Sequence, residues 1–197
     1  MPKKSLPPAD RILAQALKEF SARGYSGARV ERIARLARVN KRMLFYYFGD
    51  KESLFHAVLE SAWRNGDVLK EAPDDPAESL LFWRDFYFRN ESWVRLLLWE
   101  GLELRKPRAL EQRQAFWDAS VARRRRLAGP GGWARSLDAR QLLLAEIGLL
   151  IAPLALPHIT KLIFGHDARE PAFQQEHAEF LRRLAGVLTE TGRSPKT

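Results

Sequence analysis

The stretch NKRMLFYYFGDKESLF, Asn40 to Phe55, sets two cations, Lys41 and Arg42, beside four consecutive aromatics, Phe45 to Phe48, and places Lys51 just past a glycine. The chemistry within reach of these residue types is recognition of a polyanion. Arginine can bond a guanine edge through two parallel hydrogen bonds, and tyrosine and methionine offer polar and apolar contacts to bases and sugars. Aromatic clusters on short helices also serve as plain core, so the pattern alone leaves both readings open. Bond-breaking chemistry has less to stand on. The chain has no cysteine, which excludes disulfides, cysteine-based zinc sites and thiol catalysis. It carries no nucleophile elbow, phosphate-binding glycine loop or HExxH pattern, and no catalytic residue is assigned. His158, His166 and His177, the last two close to Asp167 and Glu176, match no metal-ligand spacing and are expected in loops or on the surface. Neither a metal nor a cofactor is expected.

For the cations and aromatics to act together they must share a short helix. At about 100° per residue, Leu44 and Phe48 fall on one side, flanked by Phe45 and Tyr47, while Arg42, Met43 and Tyr46 point the other way. Asn40 can cap the first turn. Val39 can staple to Leu44. Gly49 stops the helix and Asp50 opens the next. The preceding pattern, Val30, Ile33, Ala34, Ala37, is equally short. Two short helices joined by a tight turn, the second with cations and aromatics outward, make a helix-turn-helix, whose second helix enters the major groove.

Helical periodicity runs on either side. Leu13, Ala16, Leu17 and Phe20 predict a first helix with Asp10 as N-cap and Gly24 as its C-terminal cap. Leu54, Phe55, Val58, Leu59 and Ala62 predict a fourth, and EAPDDP, Glu71 to Pro76, marks a break between halves. Further helices are expected near 77–91, 93–105, 108–127, 136–160 and 172–190. Pro107, GPGG at 129–132 and FGHDAREP at 164–171 separate them. The tail TGRSPKT is expected to fray. No alternating strand appears, so the fold class is all-α.

The 197 residues suit one compact domain or two small ones. The net charge is +9, and it is unevenly placed. Residues 1–70 hold 14 Lys and Arg against 7 Asp and Glu, while residues 71–197 hold 19 against 17. A basic first third and a nearly neutral remainder suggest two jobs, the first with an anionic partner. MPKKSLPPAD is not followed by an apolar region, and the longest apolar run, Ile147 to Leu156, is ten residues where a membrane span needs roughly 20. A soluble, cytoplasmic chain with no membrane partner is expected.

The segment ILAQALKEFSARGYSGARVERIARLARVNKRMLFYYFGDKESLF, Ile12 to Phe55, resembles the N-terminal DNA-binding domain of the tetracycline-repressor (TetR) family, with RGY, V..IA, LFYYF and KE.LF in register. The remainder resembles the family in being all-helical. LPHITKLIFGHDAREPAFQQEHAEFLRRLAGVL is similar to the closing helices of some members. The resemblance implies a homodimeric regulator, usually a repressor, in which a small ligand in the C-terminal domain changes the spacing of two reading heads and releases the operator. It implies that Lys41, Arg42, Met43, Phe45, Tyr46 and Tyr47 occupy the recognition helix and that Lys51 contacts phosphate, as a helix start with free N–H groups and positive potential favours. Domains are expected at 1–55, the helix-turn-helix unit, and at 56–197, for ligand and dimer, with helix four (50–70) connecting. Three positions depart from the family pattern. Arg29 stands at the usual Thr or Ser cap of helix two, Arg38 at the turn glycine, and Arg42 at a small position of helix three. All three add a cation on the side expected to face DNA, either strengthening phosphate binding or reflecting drift onto solvated arginine.

The middle of the chain is rich in aromatics, and an apolar or aromatic effector is expected among Trp83, Phe86, Tyr87, Trp99, Phe116 and Trp117, with a plain aromatic core as the alternative. Glu100 interrupts an apolar face. It could select a cationic lipophile, or sit hydrated at the edge, or pair with arginine. Arg123 to Arg126 cannot all point one way on a helix, and a solvated face is the default, with a second nucleic-acid contact the lesser reading. The helix from about 136 is apolar nearly all round, so a second subunit could cover one side of it. Ile147, Leu150, Ile151 and Leu154, with Phe180 and Leu184 of the last helix, are the expected dimer interface. The rivals to a DNA-binding regulator are a basic module for a protein or membrane surface and a protein that only sequesters small molecules. The basic helices are too short for a membrane-surface helix.

Overall fold

A computed structural model of the chain describes residues 6–63, 68–104, 110–127 and 137–190. Every regular element among them is a helix: α1 (Pro8–Gly27), α2 (Val30–Leu36), α3 (Lys41–Phe48), α4 (Lys51–Trp63), α5 (Val68–Glu71), α6 (Pro76–Arg89), α7 (Glu91–Glu103), α8 (Leu110–Leu127), α9 (Ala139–Ala155), α10 (Pro157–Phe164) and α11 (Pro171–Glu190). The all-α expectation holds. Pro107, the glycines at 129–132 and the tail from Thr191 lie outside the described residues. The chain divides into two compact units that are not contiguous in sequence: Met1–Asn65 with Ser92–Gln114, and Gly66–Glu91 with Ala115–Thr197.

The first unit is built on α1. Pro8 starts it, where a missing N–H is no loss. Pro7 holds the cap position without a side-chain bond, so Asp10 does not cap the helix as expected but lies in its first turn. Ile12, Ala16 and Phe20 recur every fourth residue and are fully buried against Ile33, Leu44, Leu54, Phe55, Val58 and Leu59. The Phe20 and Phe55 rings meet edge to face at 5.0 Å. Removing each such large side chain from water stabilises the unit by about 1.5–3 kcal/mol. Gly24 does not end α1 cleanly. At φ 69° it kinks the helix, which makes one more turn to Gly27. A side chain there would run into the Glu103 carboxylate and the Trp99 ring. The indole of Trp99 and Nε of Arg95 both donate to the Ser21 carbonyl at 3.2 Å, and Glu103 accepts the Ser26 N–H at 2.9 Å. Residues of α7 thereby satisfy polar groups that the kinked end of α1 leaves over.

The second unit packs α6 against α9 and α11, with α10 folded against α9. Leu80, Tyr87, Leu150, Phe173 and Leu181 form its interior. Asp75 caps α6 by accepting the Glu78 N–H at 2.9 Å, and Asp138 caps α9 through the N–H of Arg140 at 2.8 Å. The helix expected over 136–160 is two helices. Pro153 is tolerated inside α9, and the break falls at Leu156, before Pro157, where the pair bends by 85°. A proline pushes the residue before it out of the helical region, and Pro157 then serves as the first residue of α10. Among the described residues no single helix is long and apolar enough to cross a membrane; the bent pair α9 and α10 passes only when taken together.

Candidate nucleic-acid interface and internal cavity

In the first unit, α3 is fixed from both ends. Asn40 Oδ1 accepts the Met43 N–H at 2.7 Å, and the Gly49 N–H closes the last turn on the Phe45 carbonyl at 2.8 Å with φ 75°. Leu44 is fully buried, and Phe45 and Phe48 are partly buried against the core. Phe45, expected among the nucleic-acid contacts, thus contributes to packing. The outer side carries Arg42, Met43, Tyr46 and Tyr47. Tyr46 is 83% exposed, and its ring meets that of Tyr47 at 5.5 Å. An aromatic this bare on a short, anchored helix is hard to explain as core.

The cations around α3 differ in how free they are. Lys41 pairs with Glu31 of α2 and lies 5.6 Å from the Phe45 ring centre. That pairing with Lys41 holds the Glu31 carboxyl below the usual carboxylate range. The Lys51 ammonium sits 4.9 Å from the centre of the Tyr25 ring and donates to the Ser26 carbonyl at 3.3 Å. It stands at the start of α4, which Asp50 caps through the Ser53 N–H at 2.7 Å. Arg29 precedes α2 and makes no side-chain cap there. Arg38 has φ 55°, the one positive φ outside glycine among the described residues.

Two positioning residues escaped the sequence reading. Glu19, 5% exposed, accepts the Arg29 N–H at 3.2 Å and lies 3.6 and 3.7 Å from Arg23 and Arg32. A carboxylate in α1 thus organises the start of α2, which Arg29 cannot cap. Arg11 donates to the Ala37 carbonyl at 3.0 Å and ties α1 to the turn. The only signal for either was a charged residue within a helical apolar face.

In the second unit, Trp83 and Tyr87 of α6, Phe116 and Trp117 of α8, and Leu143, Ile147 and Leu150 of α9 line a narrow cavity of about 30 Å³. Ser120, Arg123, Arg124 and Glu146 are its polar lining. Arg124 pairs with Glu146. Burial pushes the Glu146 carboxyl up against the pull of Arg124, and burial raises the Tyr87 phenol well above its ordinary value. Four expected pocket residues, Trp83, Tyr87, Phe116 and Trp117, are therefore together. Phe86 is not in the lining and packs on Trp83 at 5.4 Å. Trp99 and Glu100 are not with these four: both belong to the first unit, where Glu100 pairs with Arg113 at 2.7 Å, the arginine pairing that was the alternative to a ligand role.

The residues expected at the dimer face differ in exposure. Leu150 is 2% exposed, and it and Ile147 point into the cavity lining rather than outward. Ile151, Leu154 and Leu184 are half-buried, and only Phe180 is well exposed. Bare apolar side chains cluster on α10, where Leu162 and Ile163 are 85% and 69% exposed, with Ile159 and Phe164 beside them; Leu144 of α9 and Val187 of α11 are exposed as well. Ile159, Ile163 and Phe164 border an apolar groove of about 490 Å³ between α9, α10 and α11 that reaches Phe173, His177 and Phe180. His177, expected at the surface, is buried, its Nδ1 has no partner, and burial pulls its pKa from 6.5 down to about 4, with Arg84 adding to the shift. No group of three metal-ligating side chains occurs among the described residues.

A family model for bacterial regulatory proteins of the tetR family matches residues 12–58. Over 182 residues the chain is 31% identical to the HTH-type transcriptional repressor SCO4008 of Streptomyces coelicolor, covering 88% of this chain and 93% of that one. It is 39% identical over 113 residues to the HTH-type transcriptional repressor NicS of Pseudomonas putida, a match spanning 51% of this chain and about half, 53%, of NicS. Among solved structures, SCO4942 of Streptomyces coelicolor superposes with a TM-score of 0.74 at 23% identity, covering 90% of this chain and 98% of that one. AibR in complex with isovaleryl coenzyme A and operator DNA superposes with a TM-score of 0.66 at 17% identity, covering 93% and 98%.

Proposed function

The chain belongs to the tetR family of bacterial regulatory proteins, and from that premise we propose that it is a ligand-responsive repressor: a cytoplasmic homodimer that holds a near-palindromic operator through α3 and lets go when a small, largely apolar or aromatic effector enters the second unit. The observation that carries the reading is the outer side of α3, where Arg42, Met43 and a nearly bare Tyr46 stand on a helix anchored from beneath by Leu44. Arg42 and Tyr46 lie four apart and read base edges. Arg29, Arg38 and Lys51 stand at helix starts or in the turn and hold phosphates. Lys51 exchanges its contacts at Tyr25 and Ser26 for a phosphate oxygen, and Lys41 does so by leaving Glu31. Two such heads in a symmetric dimer reach successive major grooves, roughly 34–36 Å apart. The dimer forms through α10 and α11, with Ile159, Leu162, Ile163 and Phe180 buried between the partners. The effector parts the rings of Trp83, Phe116 and Trp117, because the cavity between them holds little more than a water molecule.

Selection of bound duplexes from a random DNA pool tests the proposal. The expected result is an inverted repeat with half-sites one helical turn apart, and an affinity that falls steeply with salt. Enrichment of no sequence, together with binding insensitive to salt, would overturn it.

A further inference from the structure

Resting on the reading of the second unit as an effector site, we infer that the effector is an acid: an aromatic or apolar body bearing a carboxylate, which Arg123 and Arg124 bind in place of Glu146. The cavity wall is apolar and aromatic except for Ser120 and one small charged group on α8 and α9. That group holds two guanidiniums and one carboxylate, so the lining carries a surplus positive charge. All three side chains are largely buried, at 11%, 15% and 18% exposed. Asp74, which meets Arg123 at 3.1 Å, does not line the cavity; it is 69% exposed and shared with Arg126 at 3.8 Å. A neutral apolar ligand has no use for a buried surplus cation, and a cationic one is repelled by it. A carboxylate is complementary to it and matches the planar fork of a guanidinium through two parallel hydrogen bonds.

The pairing of the two arginines supports the assignment. Among the described residues Arg123 commits only Nη2, to the carbonyls of Ala72 and Pro73 and to Asp74. That fixes the guanidinium on the segment before α6 and leaves Nε and Nη1, which point to opposite sides, to give one hydrogen bond each, so the two-bond fork falls to Arg124. Arg124 likewise commits only Nη2, to Glu146. Glu146 is the protein's own carboxylate in the place the effector's carboxylate takes. Burial already raises its proton affinity, so a proton from solvent neutralises it once Arg124 has turned to the ligand.

The test titrates the full-length protein with benzoate and phenylacetate, with their amides, and with benzylammonium, following tryptophan fluorescence and release of the selected operator duplex. The acids are expected to bind at least about tenfold more tightly than the amides, the gain of a hydrogen bond to a charged group over a neutral one. Arg123→Gln and Arg124→Gln should remove that preference, weakening the acids far more than the amides. Glu146→Gln, which deletes the internal competitor, should tighten acid binding. A purely structural brace between α8 and α9 predicts the opposite: Glu146→Gln weakens acids and amides alike, and the arginine variants lower the melting temperature without altering the preference between acid and amide. That result overturns the inference. Binding of amides or benzylammonium as tightly as the acids also overturns it and leaves the effector site standing. If no compound binds, while the same holds for a broader set of uncharged hydrophobic compounds, the effector site falls with it.

Discussion

Arg38 holds a backbone conformation that crowds its own β-carbon. At φ 55° an L-residue costs about 1–2 kcal/mol over the right-handed region, and glycine relieves most of that at some cost in chain entropy. Arg38→Gly should therefore raise stability by about 0.5–1 kcal/mol in urea denaturation. It should also weaken operator binding, because the glycine has no cation to set against a phosphate. An unchanged operator affinity would remove Arg38 from the interface. The other cations separate by role. Losing a two-bond arginine contact to guanine costs about 1–3 kcal/mol on the matched site alone, so Arg42→Ala should relax specificity at one position per half-site. Lys51→Ala should weaken matched and scrambled duplexes alike and lower the salt slope by about one per contact. Affinity measured against salt on both duplexes distinguishes them; equal losses from Arg42→Ala would make it an anchor. At this scale the sequence was legible for several residues that act within their own helix, though not for Asp10, which lies inside α1 behind Pro7. Asn40 as a cap and the opposition of Leu44 to Tyr46 follow from spacing. Glu19 acting on Arg29, and Glu100 on Arg113, join residues brought together only by packing.

Helices were legible in type more than in number: α5 was not expected, one expected helix is α9 and α10, and the ends were less legible still. Apolar spacing marked α1, α2, α3 and α4 closely because each has one buried face. The long apolar run after residue 139 has no polar face to set its phase, so nothing in its periodicity marked a bend. The sequence offered two prolines within the expected helix, Pro153 and Pro157, and the turn came at the second. That bend divides the expected dimer surface: before it α9 turns inward with Leu150, and after it α10 presents Leu162 outward. Two variants separate the helices. Leu162→Arg should leave the helical content intact and yield monomers in analytical ultracentrifugation. Leu150→Arg buries an unpaired charge and should destabilise the fold by about 3–5 kcal/mol. A dimer that survives Leu162→Arg at micromolar concentration would place the interface elsewhere.

For the whole molecule, the charge division into a basic first third and a nearly neutral remainder foretold two jobs, but the units do not follow the chain. Residues 92–114 return to the first unit, a non-contiguous exchange that no local pattern announces. The small size of the cavity was equally illegible, since composition names its rings but not how tightly they close. Global stability carries a signature of its own from His177. The imidazole is neutral when folded, with a pKa of about 4, and titrates near 6.5 when unfolded. The unfolded chain therefore binds more protons between those values. The stabilisation is complete above pH 6.5 and is lost as the pH falls towards 4, by up to about 3 kcal/mol. Denaturant midpoints across that range should show the decline in the wild type and a flatter limb in His177→Gln; identical limbs would remove His177 as the source. The bare apolar surface of α10 has a further consequence, in dosage. If two copies of Leu162 and Ile163 must meet before an operator can be held, then at chain concentrations below the dimer dissociation constant the active species grows as the square of the amount synthesised. Doubling expression then quadruples the dimer, and the regulated promoter answers to the protein's own abundance as a threshold instead of a proportion.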